Sequence, residues 1–115
     1  AHLPVLGSQL MRFLEARGAA RGSNLRFSLE DRTLAFQALH PGPFVAYVQV
    51  QHEGEALGLL ELRSAVGEGP IRLERPWPKD TKLITMLYED LRDPPEQPSA
   101  IFWEAHPGVA RLARH

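Results

Sequence analysis

Histidine changes charge near neutral pH, and two of the five histidines in this chain stand in the same tripeptide, His-Pro-Gly, at His40 and His106. Two imidazoles held together could ligate a metal or move protons at a substrate. A larger set of side chains with similar capacities is spread over several predicted loops: His52, Arg75, Trp77, Lys79, Thr81, Glu104 and His106. Whether any of these form a site depends on the elements that carry them.

The residue types in this set indicate two kinds of chemistry. Glu104 and His106, with His52, could offer one oxygen and two nitrogens to a divalent metal, but their spacing matches no metal-binding motif, and we predict neither metal nor cofactor. Arg75 and Lys79 could hold an anion beside the free N–H groups of a helix that begins at Thr81, with Trp77 stacked on a planar ligand. The seven residues listed above are called the rim below, and they form the only candidate ligand-binding site that the sequence indicates.

Composition excludes several other functions. The chain of 115 residues contains no cysteine and has a formal charge of −1, which removes thiol chemistry and any bulk attraction to nucleic acid or an anionic membrane. No apolar run approaches the roughly 18 residues of a membrane span, and the first residues lack a signal-peptide pattern. No serine lies in a G-x-S-x-G turn, and no glycine cluster has phosphate-loop spacing. We therefore expect a single cytoplasmic domain, residues 1–115, without a catalytic constellation.

Helical periodicity occurs in three places. Ser8 can cap a helix that runs to about Arg21 and has Leu10, Phe13 and Leu14 on one face, with Leu6 just ahead of it. A second helix is predicted over 81–92, and a short terminal helix begins at Pro107. The stripe on the second helix consists of Leu83, Ile84, Leu87 and Leu91.

Alternating patterns predict six strands, separated by turn residues, at 23–29, 32–39, 44–51, 56–64, 71–75 and 100–105. Because short turns join the first five, they are expected to form an antiparallel meander. The resulting fold class is α+β, a five- to six-stranded sheet packed on two principal helices in the order α-β-β-β-β-β-α-β-α. In that arrangement His40 and His106 lie at opposite ends of the sheet, about 20 Å apart, while the rim residues share one end.

The strand at 44–51 is apolar on both faces, so one layer of helices is not expected to cover the sheet. A second apolar face would be made by Val45, Tyr47, Leu57 and Leu59. Its cover could be the short terminal helix, the first helix or a second chain, and a homodimer is one hypothesis. For function, a small non-catalytic binding or interaction module is predicted first. The alternative is a ligand-binding protein or enzyme that uses the rim, without Thr81, to bind an anionic small molecule.

Overall fold

The computed structural model describes residues 25–104, and all of its regular elements are strands. Seven strands follow one another in the chain: β1 (Leu25–Glu30), β2 (Thr33–Ala38), β3 (Phe44–His52), β4 (Glu55–Ser64), β5 (Glu68–Arg72), β6 (Lys82–Asp90) and β7 (Ser99–Glu104). They form two antiparallel sheets, one with the order β1-β2-β5 and the other with the order β6-β3-β4-β7. The predicted α+β class is therefore wrong for the described part of the chain.

The two sheets pack face to face around one apolar core. The three-stranded sheet contributes Leu34 and Phe36, which are almost wholly buried. The four-stranded sheet contributes alternate residues of its two central strands. These are Phe44, Ala46, Val48, Val50, Leu60 and Leu62. The alternation follows from strand geometry, in which successive side chains point to opposite faces. The result is a two-layer β-sandwich.

The predicted helix over 81–92 is wrong, because Lys82–Asp90 forms strand β6. Its backbone pairs with β3, and the register shifts between Tyr47 and Val48 so that Met86 is an extra, unpaired residue. This bulge changes the side-chain parity partway along the strand, so Leu83 and Thr85 face the core before it and Tyr88 after it. The broken alternation resembles a helical period.

Residues 25–104 include no helix long and apolar enough to cross a membrane.

The predicted meander is also wrong. The hairpins β1–β2 and β3–β4 are confirmed, but β2 pairs with β5 rather than β3, and β4 pairs with β7 rather than β5. The connections 39–43 and 65–67, at the end of the sandwich opposite these two hairpins, both cross from one sheet to the other. They are hydrogen-bonded to each other, since the Gly67 N–H donates to Pro41 O at 2.8 Å and the Ala38 N–H to Gly67 O at 2.6 Å.

The turn chemistry explains which strand pairs are hairpins. Each true hairpin closes with two residues and a positive φ, at Asp31 (φ 54°) in one and at Glu53 and Gly54 (φ 51° and 81°) in the other. Such turns match the twist of paired strands. The crossing at 39–43 is longer and contains two prolines, which suits a corner between sheets. The predicted terminal helices, 8–21 and from Pro107, lie outside the described residues.

Candidate functional site

Several rim residues predicted to share one end of the sheet do so. The chain runs toward this end in β3, β5 and β7, which finish at His52, Arg72 and Glu104, and β6 leaves it at Lys82. Loop 73–81 lies at the same end. His40 lies at the opposite end, in the crossing before β3. His106 is outside the described residues, so its separation from His40 stays a prediction.

A cleft of about 790 Å³ opens at one side of the sandwich, between β5 and β7. These are the terminal strands of their sheets, so each presents an edge that has no partner strand among residues 25–104. Loop 73–81 closes the cleft at the rim end, where Arg75 and Trp77 line it together with Glu104. Three of the predicted site residues therefore meet in one place.

Arg75 lies at the centre of this group. Its guanidinium carbon is 4.8 Å from the Trp77 ring centre and 5.1 Å from that of Phe102, and its Nη1 is 3.6 Å from Glu104 Oε1. The rings themselves meet edge to face, with centres 4.8 Å apart. The ion pair is about half exposed, with 47% and 51% of the two side chains accessible, so it adds little stability. Arg75 therefore links the loop to the β7 edge mainly through stacking.

Trp77 is the buried member of the group. It is 9% exposed and belongs to the sandwich core, as expected of a residue that closes one end of that core. Its Nε1–H is buried and has no hydrogen-bond acceptor among the described residues. A buried donor without an acceptor costs free energy comparable to a lost hydrogen bond. An acceptor supplied from outside this part of the chain would remove that cost.

Lys79 and Thr81 lie beside a smaller depression of about 290 Å³, which shares Trp77 with the main cleft. The Thr81 hydroxyl donates to Pro78 O at 2.6 Å and closes a local turn. Because β6 replaces the predicted helix, there is no helix N-terminus to present free N–H groups to an anion. The predicted anion site at the start of that helix is therefore wrong in its main component.

His52 is at the same end but not in the cleft. Its Nε2 is 3.9 Å from Glu53 Oε1, a long contact with a residue whose side chain is 82% exposed. Its Nδ1 is buried and unpartnered within the described part of the chain. Residues 25–104 contain no group of three or more His, Asp or Glu side chains arranged to hold a metal ion.

The sequence analysis missed the long walls of the cleft. Ile71 and Leu73 form one wall, and Ala100 and Phe102 form the other. Periodicity assigned all four to strands but could not show that these two strands are edge strands of different sheets on the same side of the sandwich. The charged residues of the cleft balance, with Arg72 and Arg75 against two glutamates.

No family model, curated protein or solved structure matches this chain.

Proposed function

We propose that this protein is a non-catalytic interaction module that binds an extended segment of a partner polypeptide along the free edge of β7. The segment would add a strand to the four-stranded sheet and place alternate side chains in the cleft. The observation that carries the proposal is the juxtaposition of a strand edge that has no partner strand among residues 25–104 with a cleft of about 790 Å³ whose long walls are apolar. Strand addition of this kind is a common mode of peptide recognition.

The β7 edge differs from the β5 and β6 edges of the sandwich. Free strand edges are usually blunted by proline, lysine or a bulge. The neighbouring edge, β5, contains Pro70, which has no N–H to donate, and β6 contains Lys82 and the bulge at Met86. The six residues of β7, SAIFWE, contain no such feature before Glu104. The fourth edge strand, β1, also lacks these features but contributes no residue to the cleft, so β7 is the edge best suited to accept a further strand there.

The walls of the cleft suit alternate side chains of an extended peptide. Apolar groups would contact Leu73, Trp77 and Phe102, each of which contributes to the core or packs against it. At the rim, the Arg75 side chain is 47% exposed and can turn away from its ring contacts. A main-chain carbonyl of the bound segment could then accept from the Trp77 indole N–H, which has no acceptor among residues 25–104.

Charge favours a polypeptide over a small anion as the ligand. Two arginines and two glutamates line the cleft, so it has no net positive charge to attract a phosphate or carboxylate. The other basic residue of the predicted rim, Lys79, lies in the neighbouring depression. A peptide with mixed charges can pair with both signs and still form its main-chain hydrogen bonds.

Selection from a displayed library of random peptides, followed by two variants of equal charge change, tests this function. Ile101 lies on β7 and lines the cleft, whereas Val66 is a similarly exposed aliphatic residue in a distant crossing, at 45% and 52% exposure. We expect Ile101→Lys to weaken the selected peptides at least tenfold, about 1.4 kcal/mol, and Val66→Lys less than twofold. Fluorescence polarisation with labelled peptides would measure both affinities.

Peptide N-methylation then tests the mode of binding. In an antiparallel strand, alternate N–H groups point toward the neighbouring strand, so methylation of one alternate set should abolish binding and methylation of the other should be tolerated. Equal tolerance of both sets, or equal effects of the two lysine variants, would contradict strand addition at β7. A library without binders, together with a melting temperature raised by inorganic phosphate, would favour the small-anion alternative.

A further inference from the structure

We infer that the outward face of the four-stranded sheet is covered by the chain's own N-terminal segment, residues 8–21, docked as an amphipathic helix. This inference does not depend on the proposed function, since it concerns the opposite face of β3, β4 and β6 from the core. The outer face is defined by Val45, Tyr47, Leu59, Ile84, Met86, Leu87 and Trp103.

The centre of the outer face includes residues as buried as those of the core. Leu59 is 0% exposed and Met86 5%, although both point away from the three-stranded sheet. Side chains stand roughly perpendicular to a sheet, so neighbours such as Trp103 flank Leu59 and Met86 more than they cover their outer ends. Ile101, which faces outward on the edge strand β7, is 45% exposed, as expected for an uncovered position.

The polar side chains of Glu61 and Tyr47 on this face also indicate that water is excluded from it. Glu61 is only 9% exposed, and its Oε1 is 3.0 Å from Arg63 Nε. Tyr47 lies opposite Glu61 in the β3–β4 register, and its pKa is raised above the usual value of 10.0, first by burial and then by its hydrogen bond to Glu61. A phenol on a bare sheet face would be well hydrated.

No described element lies over this face. The three-stranded sheet packs on the inner side, and loop 73–81 belongs to the rim. The connection 91–98 passes one end of the sandwich, where the Leu91 N–H donates to Pro43 O at 2.9 Å. Val45 begins the outer face at that end. The connection does not explain the burial of Leu59, which lies opposite Gln49 farther along β3. The cover must come from outside residues 25–104.

The N-terminal segment has the composition and length for this role. A helix over 9–21 would be about 20 Å long, and four strands spaced about 4.8 Å apart extend about 14 Å from first to last. Its apolar stripe of Leu10, Phe13 and Leu14 matches the apolar face. The segment joins the described chain at β1, whose second edge has no partner strand among residues 25–104 and lies along β6, where the two strands line a shared groove of about 390 Å³.

The C-terminal segment is a poorer fit. Residues 105–115 contain only two large aliphatic side chains, Val109 and Leu112, against seven large apolar ones in residues 1–24. Its predicted helix of about eight residues would reach about 12 Å, less than the width of the sheet. Length and apolar content therefore favour the N-terminal segment.

Paramagnetic relaxation in the full chain tests this assignment. The sequence has no cysteine, so Glu15→Cys offers a unique site for a nitroxide label on the side of the helix away from its stripe. We expect the amide signals of Leu59, Met86 and Trp103 to lose intensity, and those of Arg26 and Ser28 in the other sheet to lose much less. Phe13→Asp in the labelled protein should restore the intensities, while Ala19→Asp, on the opposite side of the helix, should not.

A second sample distinguishes the segment of the same chain from that of another molecule. Spin-labelled protein without isotope is mixed with isotope-labelled protein without the spin label. The inference predicts full intensities in this mixture. Loss of outer-face intensity in the mixture would assign the cover to a second copy, and no loss in the singly labelled chain would assign it elsewhere. Either result overturns the inference, and neither requires Phe13→Asp to fold.

Discussion

The guanidinium group of Arg75 lies over the ring of Trp77, with 4.8 Å between the guanidinium carbon and the ring centre. The two residues are separated by one position in loop 73–81, and the same guanidinium also faces Phe102 on β7. This contact joins the rim loop to the edge strand that we propose as the peptide-binding site. The stability of the loop and the shape of the cleft should therefore change together when Arg75 is replaced.

Replacing Arg75 with alanine should lower the free energy of unfolding by about 0.5–1 kcal/mol, because the ring contacts are partly exposed. Arg75→Lys keeps the charge but loses the planar stacking, so its free energy of unfolding should fall between those of the unaltered protein and Arg75→Ala. Arg92→Ala, an exposed arginine outside the cleft, is the control, with a change below about 0.5 kcal/mol. Urea denaturation measures all three. Equal losses at the two arginines would show that the stacking has no structural role.

Gly58 should tolerate no side chain. It lies at the β-bulge of β4, and a Cβ there would overlap the backbone carbonyl of Trp103 and lie 2.6 Å from Phe102 Cζ. Because a backbone carbonyl in a paired strand cannot move aside easily, Gly58→Ala should cost about 1–3 kcal/mol or more. Gly42→Ala is the matched control, since no atom lies within 4 Å of its added Cβ. Thermal melting should show a large loss for the first and almost none for the second.

Replacing Thr85 with an apolar residue of the same shape should stabilise the protein. Its side chain is 2% exposed, faces the core, and its hydroxyl has no hydrogen-bond partner among residues 25–104. Thr85→Val should therefore raise the free energy of unfolding by about 1 kcal/mol. Thr81→Val, which loses the hydroxyl bond to Pro78 O, should instead be neutral or mildly destabilising. A loss of stability at Thr85 would show that its hydroxyl is satisfied in solution.

The two tyrosines should make stability fall at alkaline pH. Burial, followed by the 3.1 Å hydrogen bond to Asp90, raises the pKa of Tyr88 from 10.0 to about 12, and that of Tyr47 is raised as well. Folding favours the protonated phenol, so the contribution is fully present below about pH 10 and is lost as the pH rises toward 12. Phenolate absorbance should show ionisation above pH 10, and Tyr88→Phe should reduce the alkaline loss. Ionisation of both phenols near pH 10 would contradict the assignment.

The candidate site could be predicted in part. Because antiparallel strands reverse direction at each turn, counting the reversals assigned the residues His52, Arg75, Trp77 and Glu104 to one end, and that placement is correct. It survives the wrong helix over 81–92 because a helix and a strand both carry the chain from that end to the other. The count could not show that Arg75 meets Trp77 and Glu104 while His52 stays apart.

Local patterns in the amino-acid order were sufficient for most strand positions, for both hairpins and for the two apolar faces of β3, since these depend on neighbouring residues and on backbone geometry. Leu57 shows the limit of such patterns. It was expected on the outer face with Leu59 but packs against the core, because the register shift opposite Val50 and Gln51 reverses the side-chain direction.

The assignment of strands to sheets required the folded arrangement. The connections at 39–43 and 65–67 are short enough for hairpins, yet each joins different sheets, because this packs the apolar faces of two sheets together. In the same way, β6 is a strand because the unpaired backbone of β3 needs a hydrogen-bonded neighbour on its second side. Such choices depend on residues distant in the chain, whose burial and hydrogen bonding outweigh the weak helical period of a nine-residue segment.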